Sequence, residues 1–212
     1  MAYTFNGTSQ YLQLANAQYA ASAYPLTMFV RGKSSDLTKH QIAAIYIRQS
    51  DTYNGLGMIM AGAYAGDPLN AHGVSSGSVS YADGNWHSWS GISTGTTAHT
   101  VNADDAVDTG STSIAFEGYY AIQVGGRLIP GFSLGLTGSA CSVAIWDVAL
   151  TADECKSLNA GFPPRRVRPQ SLKVYAPLVR DLQAWVNKNL TTSSFTATNS
   201  PTVSDHPRSY GF

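Results

Sequence analysis

Short runs in which apolar and polar residues alternate recur along most of the chain. The runs are rich in Tyr, Val, Ile and Thr, and clusters of Gly, Asn, Asp and Ser separate them. Alternation with a period of two predicts strands with one buried face, and the frequent turn residues predict that neighbouring strands are antiparallel. The predicted strands are 11–14, 26–32, 42–48, 57–63, 86–92, 97–103, 120–125, 140–146 and 171–178. The pattern therefore indicates an all-β fold.

Three runs carry more specific predictions. Asn6-Gly7 is a favoured hairpin turn, so residues 11–14 are expected to return alongside Phe5. In the run 26–32, the even-numbered residues are expected on one face and the odd-numbered residues on the other. In the run 140–146, Cys141 is expected to share a face with Val143 and Ile145, which makes this cysteine a small buried hydrophobic residue.

One segment, 151–159, has the features of a short helix. Thr151 is a capping residue, and two acidic residues follow in the first turn, where they favour the helix dipole. Leu150, Cys155 and Leu158 are expected to line the buried face, and Gly161 supplies a stop. The Thr/Ser/Asn-rich segment 187–204 is predicted to be irregular, apart from one strand near Phe195.

The number and balance of charged residues argue against two classes of binding partner. Of the 212 residues only 12% are charged, about half of the ~25% usual in soluble domains, and 13 basic residues balance 13 acidic ones. Because binding to nucleic acid or to an anionic membrane depends on excess Lys and Arg, neither partner is predicted. No run reaches the roughly 18 apolar residues of a membrane span, and no signal peptide is recognised.

Several short motifs, taken in their order, resemble the laminin-G-like, concanavalin A-like family in its bacterial and bacteriophage branch. They are Phe5-Asn6-Gly7 with Tyr11-Leu12, the strand 26–30, Gly84-Asn85-Trp86-His87, and Ala144 to Glu154 followed by Leu158 and Gly161. The resemblance implies a two-sheet antiparallel jelly-roll sandwich with one short helix near 151–159. It covers about residues 3–208.

The later motifs resemble phage versions of this domain that are encoded among virion structural proteins. They are Phe162-Pro163-Pro164, Pro169, Leu172, Tyr175-Ala176-Pro177-Leu178 and Asp205-His206-Pro207-Arg208. We therefore expect a jelly-roll domain over 1–180 and a C-terminal extension over 181–212 that packs on the domain or on a neighbouring subunit.

The resemblance implies a non-enzymatic virion structural or decoration protein that contacts capsid or tail proteins and forms a homo-oligomer. Such a protein would be made in the host cytoplasm and released in the virion by lysis. The alternative is a carbohydrate-binding adhesin or receptor-binding module that contacts a host-surface glycan.

Catalysis of glycoside hydrolysis is not expected. That chemistry needs two carboxylates about 5–9.5 Å apart, and related laminarinase-type enzymes carry them as two Glu on one strand. This chain has two Glu in all, Glu117 in a turn-rich segment and Glu154 at the helix start. Their spacing does not match that arrangement, so we predict that the protein is not an enzyme.

Calcium is the one cofactor that the sequence suggests. Asp104, Asp105 and Asp108 lie close together in one segment, and carboxylates converging from a loop are typical calcium ligands. The alternative is a solvated hairpin turn without metal, because Asp is common in such turns.

Two groups of aromatic residues could contact a glycan. Tyr53, Tyr64, Tyr119 and Tyr120 lie next to turns and glycines. A sugar platform could also be formed by Trp86, His87 and Trp89. The stronger interpretation is that Trp86 packs in the core at one end of the sandwich and that His87 is hydrogen-bonded on the opposite face.

The charge cluster Arg165-Arg166 with Arg168 is bracketed by Pro164 and Pro169. The prolines are expected to hold the segment extended and exposed. It is either a solvated connector or a docking segment that pairs with acidic groups on a neighbouring subunit, for which the guanidinium fork is suited.

Overall fold

The computed structural model describes residues 2–15, 24–36, 40–46, 55–60, 83–104, 106–111, 121–126, 135–179, 182–186, 189–194, 196–199 and 201–204. These residues form fifteen strands, one α-helix and one turn of 3-10 helix. In chain order the α-helix and strands are β1 (Ala2–Asn6), β2 (Tyr11–Ala15), β3 (Leu26–Ser34), β4 (His40–Tyr46), β5 (Gly55–Met60), β6 (His87–Gly95), β7 (Ala98–Ala103), β8 (Ala106–Gly110), β9 (Ala121–Val124), β10 (Thr137–Trp146), α1 (Ala152–Asn159), β11 (Leu172–Ala176), β12 (Gln183–Val186), β13 (Asn189–Ser194), β14 (Thr196–Thr198) and β15 (Thr202–Ser204).

The strands form two sheets, and every pairing within the described residues is antiparallel. The larger sheet has the order β13-β12-β11-β10-β3-β6-β7-β8, and β1 pairs with both β10 and β15. The smaller sheet has the order β14-β2-β9-β4-β5. The prediction of an all-β, two-sheet antiparallel fold with one short helix is confirmed.

The main hydrophobic core lies between the two sheets. Leu12 and Ile122 of the smaller sheet join Met28, Val30 and other residues of the larger sheet in one buried cluster. In β3 the even-numbered residues 26, 28 and 30 face this cluster, as the alternation predicts. Burial of these side chains is the main favourable contribution to the stability of the sandwich.

A second hydrophobic cluster lies on the outer face of the larger sheet, beneath α1. Phe29 and Trp146 contribute from the sheet, and Cys155 and Leu158 contribute from the helix. The indole Nε1 of Trp146 donates a hydrogen bond of 2.8 Å to the carbonyl of Val167, so its polar group is satisfied although the ring is buried. The predicted apolar face of the helix is confirmed.

Two predictions made from local sequence are wrong: which strands pair around Asn6-Gly7, and on which face of the sheet Cys141 lies. Both features depend on pairing between strands that are distant in sequence. The turn at Asn6-Gly7 does not close a hairpin: β1 pairs with β10 in the larger sheet, and β2 pairs with β9 in the smaller sheet. In β10 a bulge follows Cys141, which lies opposite Arg31 on the outer face, whereas Val143 belongs to the core between the sheets. One extra residue in a strand reverses the facing of every later residue.

The Thr/Ser/Asn-rich tail is also more ordered than the sequence predicts. Within it, β13 extends the larger sheet beside β12, β14 pairs with β2, and β15 pairs with β1. Residue 195, the centre of the predicted strand, lies outside the described residues. None of the helices in the described part of the chain is long and apolar enough to cross a bilayer.

Candidate functional site

A cavity of about 120 Å3 opens on the outer face of the larger sheet, beside the C-terminal end of α1. We call it the helix-side pocket. Its lining residues are Phe29, Arg31, Ser142, Leu158, Gly161, Phe162, Pro163, Pro164, Tyr175, Pro177 and Val179. Aromatic and proline side chains predominate, Arg31 is the one charged member, and none of these residues is acidic. Apolar walls with a few polar groups are typical of small-ligand sites.

Three neighbouring strands form the floor of the pocket. Phe29 and Arg31 are two residues apart in β3, so their side chains point to the same outer face. Tyr175 comes from β11 and Ser142 from β10, the strand between them. Because this floor is a hydrogen-bonded sheet, the relative positions of the lining groups are fixed.

The turn that follows α1 forms the wall. Gly161 has φ +95, a left-handed conformation that disfavours other residues, and its N–H donates to the carbonyl of Leu158. The chain then turns back so that Phe162 donates its N–H to Ser157 and leaves its ring 49% exposed at the pocket. An exposed aromatic ring beside a cavity can stack on the apolar face of a sugar.

Backbone strain is present on both sides of the helix-side pocket. Ser142 lies in the β10 bulge with φ 56, and its N–H donates to the carbonyl of Pro177 at 3.1 Å. Leu178 has φ 52 and is fully buried between two lining residues. A left-handed conformation is costly for a residue with a bulky side chain, and such residues concentrate at functional sites.

Arg31 determines the electrostatic character of the pocket. Its side chain is half-buried, and its Nε is buried with no hydrogen-bond partner among the residues that the structure describes. Cys141 lies directly opposite on β10, but burial raises the pKa of its thiol to about 12, although the charge of Arg31 acts to lower it. The thiol is therefore neutral and does not balance the guanidinium.

Tyr175 and Arg165 add polar groups near the same opening. Burial raises the pKa of the Tyr175 hydroxyl, while a hydrogen bond with Ser142 and the positive charge of Arg165 act to lower it. The hydroxyl is therefore protonated at neutral pH. Arg165 is exposed and follows the lining residue Pro164, so a second positive charge lies near the pocket.

The predicted arginine cluster is not extended. Pro164–Arg166 forms one turn of 3-10 helix, which Pro164 can begin because the first helical position needs no N–H donor. Arg165 and Arg166 are exposed, as predicted, whereas Arg168 turns back at φ 41 and its Nε lies 2.5 Å from Glu154 Oε1. The three arginines therefore do not form one surface.

Glu154, one of the two glutamates, has a structural role. Its carboxylate accepts hydrogen bonds from the backbone N–H and the hydroxyl of Thr151, whose hydroxyl in turn accepts from the backbone N–H of Glu154. This is a capping box, as the sequence predicts for a helix start. Burial raises the pKa of Glu154, but its bonds with Thr151 and Arg168 outweigh that effect and leave it below the usual value. Glu117 lies outside the described residues.

The aspartate cluster is placed only in part. Asp104 lies in the two-residue turn between β7 and β8, with φ 48, which agrees with the predicted hairpin turn. Its carboxylate accepts from the backbone N–H of Ser88 at 2.8 Å and lies 2.6 Å from His87 Nδ1. Asp105 and the side chain of Asp108 lie outside the described part. The described residues contain no group of three or more metal-ligating side chains, and calcium stays a prediction.

His87 and the two tryptophans do not form an exposed platform. His87 makes hydrogen bonds with Asp104 and Asp83, in line with the predicted hydrogen-bonded histidine. Trp89 is 2% exposed and meets the His87 ring edge-on. Trp86 does not plug the sandwich as predicted: it is half-buried, and the ammonium of Lys33 lies 5.3 Å from the centre of its ring.

The predicted glycan contacts Tyr53, Tyr64, Tyr119 and Tyr120 lie outside the described residues. No functional role is predicted from the sequence for Arg31, Phe162 or Tyr175, which meet at the helix-side pocket. One signal was present: Arg31 is the charged residue in the otherwise apolar alternation of 26–32. A charge on a half-buried strand face needs either a partner or a function.

Structure comparison identifies the fold class. No family model matches the sequence, and a search of curated proteins gives no match. Among solved structures, the chain is similar to the heptameric SAP-like pentraxin from Limulus polyphemus, with a TM-score of 0.56, 13% identity and coverage of 92% of this chain and 89% of that one. The chain has the concanavalin A-like, laminin-G-like jelly-roll fold.

Two further solved structures share this fold. The CBM40 of the Ruminococcus gnavus IT-sialidase, bound to alpha2,3 sialyllactose, has a TM-score of 0.53 at 10% identity, with coverage of 74% of this chain and 96% of that one. The enzymatically active domain of tailspike protein 2 of bacteriophage CBA120 has a TM-score of 0.51 at 13% identity. The match covers 82% of this chain and 34% of that one.

Proposed function

We propose that this protein is a non-enzymatic carbohydrate-binding module, an adhesin or receptor-binding domain, and that it seats a glycan in the helix-side pocket. The observation that carries the proposal is a cavity with aromatic walls that one half-buried arginine, Arg31, also lines. Apolar walls suit the faces of a sugar ring, and the guanidinium supplies hydrogen bonds that select its substituents.

The size of the pocket supports a small sugar unit. Its volume of about 120 Å3 is several times the ~10–15 Å3 that a cavity needs to hold one water molecule. It is smaller than the ~300 Å3 at which drug-sized ligand pockets begin. One sugar ring would therefore occupy the pocket while the rest of a glycan extends over the exposed ring of Phe162.

The fold and the use of Glu154 are compatible with binding without catalysis. The CBM40 with the same fold binds sialyllactose, which supports glycan contact as a function that this scaffold can carry. Glu154 is held by the helix cap and by Arg168, so this carboxylate is not available as an acid or a nucleophile.

The test is a glycan array probed with the intact protein, followed by affinity measurements on the retained glycans. We expect Phe162→Ala to weaken binding at least tenfold, because it removes the exposed ring at the pocket. Val203→Ala is the matched control, since Val203 is 51% exposed but belongs to β15, away from the pocket. Retention of no glycan, or equal affinity of both variants, would overturn the proposal.

A second candidate function is that of a virion structural or decoration protein that contacts capsid or tail proteins and forms homo-oligomers. The exposed Arg165 and Arg166 favour it, because neither makes an ion pair with a described residue and both can bind carboxylates of a neighbour. The phage-like C-terminal motifs and the tailspike domain of the same fold add support.

This candidate is tested by charge reversal at Arg165 and Arg166 together. We expect the double variant to lose co-sedimentation with capsid or tail proteins, or to change the oligomeric state in analytical ultracentrifugation, while keeping the wild-type Tm. A strictly monomeric wild-type protein without affinity for any virion component would exclude the second function.

A further inference from the structure

We infer that the helix-side pocket selects an acidic saccharide, one whose ring carries a carboxylate, and that Arg31 is the residue that binds this group. The inference rests on the proposed glycan binding and adds the chemical class of the ligand. It follows from the position of Arg31, the charges around it and the shape of the pocket.

The guanidinium is available to a ligand. Nη1 of Arg31 faces Gly161 in the wall, since a Cβ built on that glycine would lie 3.9 Å from it. Nε is buried, and no hydrogen bond satisfies it within the described residues. Because Nε is enclosed, a carboxylate in the pocket would accept hydrogen bonds from the Nη groups at the end of the guanidinium.

Charges near the pocket favour an anion. The acidic groups on neighbouring elements already have partners: Glu154 lies 2.5 Å from Arg168, and Asp147 lies 2.7 Å from Lys173. The Cys141 thiol beside Arg31 is neutral, and Arg165 adds positive charge near Tyr175. A carboxylate therefore enters a positive field, whereas a cationic or neutral ligand leaves Arg31 without a counter-charge.

The walls favour a carboxylate on a ring over an acidic peptide side chain. Tyr175 in the floor and Phe162 in the wall present aromatic surface on two sides of the cavity, which a flat ring covers better than a flexible Asp or Glu side chain does. A carboxylate is also planar and matches the fork of one guanidinium.

The experiment uses titration calorimetry of the intact protein with matched pairs of methyl glycosides: glucoside with glucuronide, and galactoside with galacturonide. We expect at least one glycoside with a carboxylate to bind at least tenfold tighter than its neutral counterpart. Arg31→Gln should abolish that difference, and Arg31→Lys, which keeps the charge and loses the fork, should give an intermediate affinity. Lys156→Gln, at an exposed cation outside the pocket lining, is the control and should match wild type.

The outcomes separate this inference from the proposed function. If the neutral glycosides bind as tightly as the acidic ones, or if Arg31→Gln keeps the preference, the inference is overturned and glycan binding stands. If a blocked Asp- or Glu-containing peptide competes as well as the glycosides, the inference is overturned in favour of protein docking. If the array and all glycosides give no binding, both fall. Near-wild-type Tm of Arg31→Gln shows that its effect is local.

Discussion

His87 Nδ1 lies 2.6 Å from Asp104 Oδ2, and this contact joins the first residue of β6 to the turn between β7 and β8. The other ring nitrogen of His87 lies 2.9 Å from Asp83 in the turn before β6. Asn159 at the end of α1 also donates to the backbone carbonyl of Asp104. One histidine between two carboxylates thus joins two turns, and a side chain of the helix holds the second of them.

This arrangement predicts that the stabilisation by His87 depends on pH. The hydrogen bond with Asp104 raises the pKa of His87, burial lowers it, and the bond with Asp83 raises it again, with a net rise above 6.5. The charged imidazole donates from both nitrogens. Its stabilisation is therefore fully present below pH ~6.5 and is lost as the pH rises through the elevated folded-state pKa.

We expect His87→Gln to lower the free energy of unfolding by about 1–3 kcal/mol at pH 5.5, the range for hydrogen bonds to charged groups, and by less at pH 9. Urea denaturation of both proteins across this range measures the difference. Asp153→Asn, at an exposed carboxylate in α1, is the control and should show no such trend. A difference that grows with rising pH would contradict the assignment.

Arg31→Met should make the protein more stable while it removes binding. The substitution keeps an apolar stem on the outer face of β3 but removes a half-buried charge and its unpartnered Nε. We expect the free energy of unfolding to rise by about 1 kcal/mol, because the cost of an unsatisfied buried donor is relieved. A loss of stability in denaturant titrations would instead show that Arg31 has a structural partner.

The helix cap offers a prediction with a conservative control. Thr151→Ala removes the hydroxyl that accepts from the N–H of Glu154, so we expect a loss of about 1 kcal/mol in the free energy of unfolding. Thr151→Ser keeps the hydroxyl and should stay within a few tenths of a kcal/mol of wild type. Equal losses for the two variants would show that the methyl group, not the cap, is important.

Two glycines test the close contact of β1 with the end of β9. Gly125 has φ +81, and a Cβ there would lie 2.5 Å from the buried ring of Phe5. We expect Gly125→Ala to destabilise the protein by at least about 2 kcal/mol, from backbone strain and overpacking. Gly95→Ala is the control, because a Cβ at Gly95 meets no atom within 4 Å. Its Tm should be close to that of wild type.

Features determined by nearby residues could be predicted from the sequence. The alternation in β3 follows from the spacing of apolar residues, and the helix follows from Thr151, Glu154 and Leu158. The motif that leads into the helix is in addition held by a residue distant in sequence, since the Thr27 hydroxyl donates to Val148 and accepts from the N–H of Leu150.

Features that depend on distant pairing could not be predicted. Whether β1 pairs with β2 depends on β10, which is more than 130 residues away and competes for the same edge. The bulge at Ser142 depends on the register of β10 against β3. Because of this bulge, Ser142 lines the pocket. The strands of the tail lack an apolar alternation because partner strands, more than side-chain burial, stabilise them.

The position of β1 between β10 and β15 has a consequence for how the chain folds. Tyr3 pairs with Ala140 on one side and with Val203 on the other, so β1 acquires its partners only after most of the sequence has been synthesised. Contacts over such sequence separations require the closure of long loops and are slow to form. We therefore expect the nascent chain to remain incompletely folded until the segment 202–204 has left the ribosome.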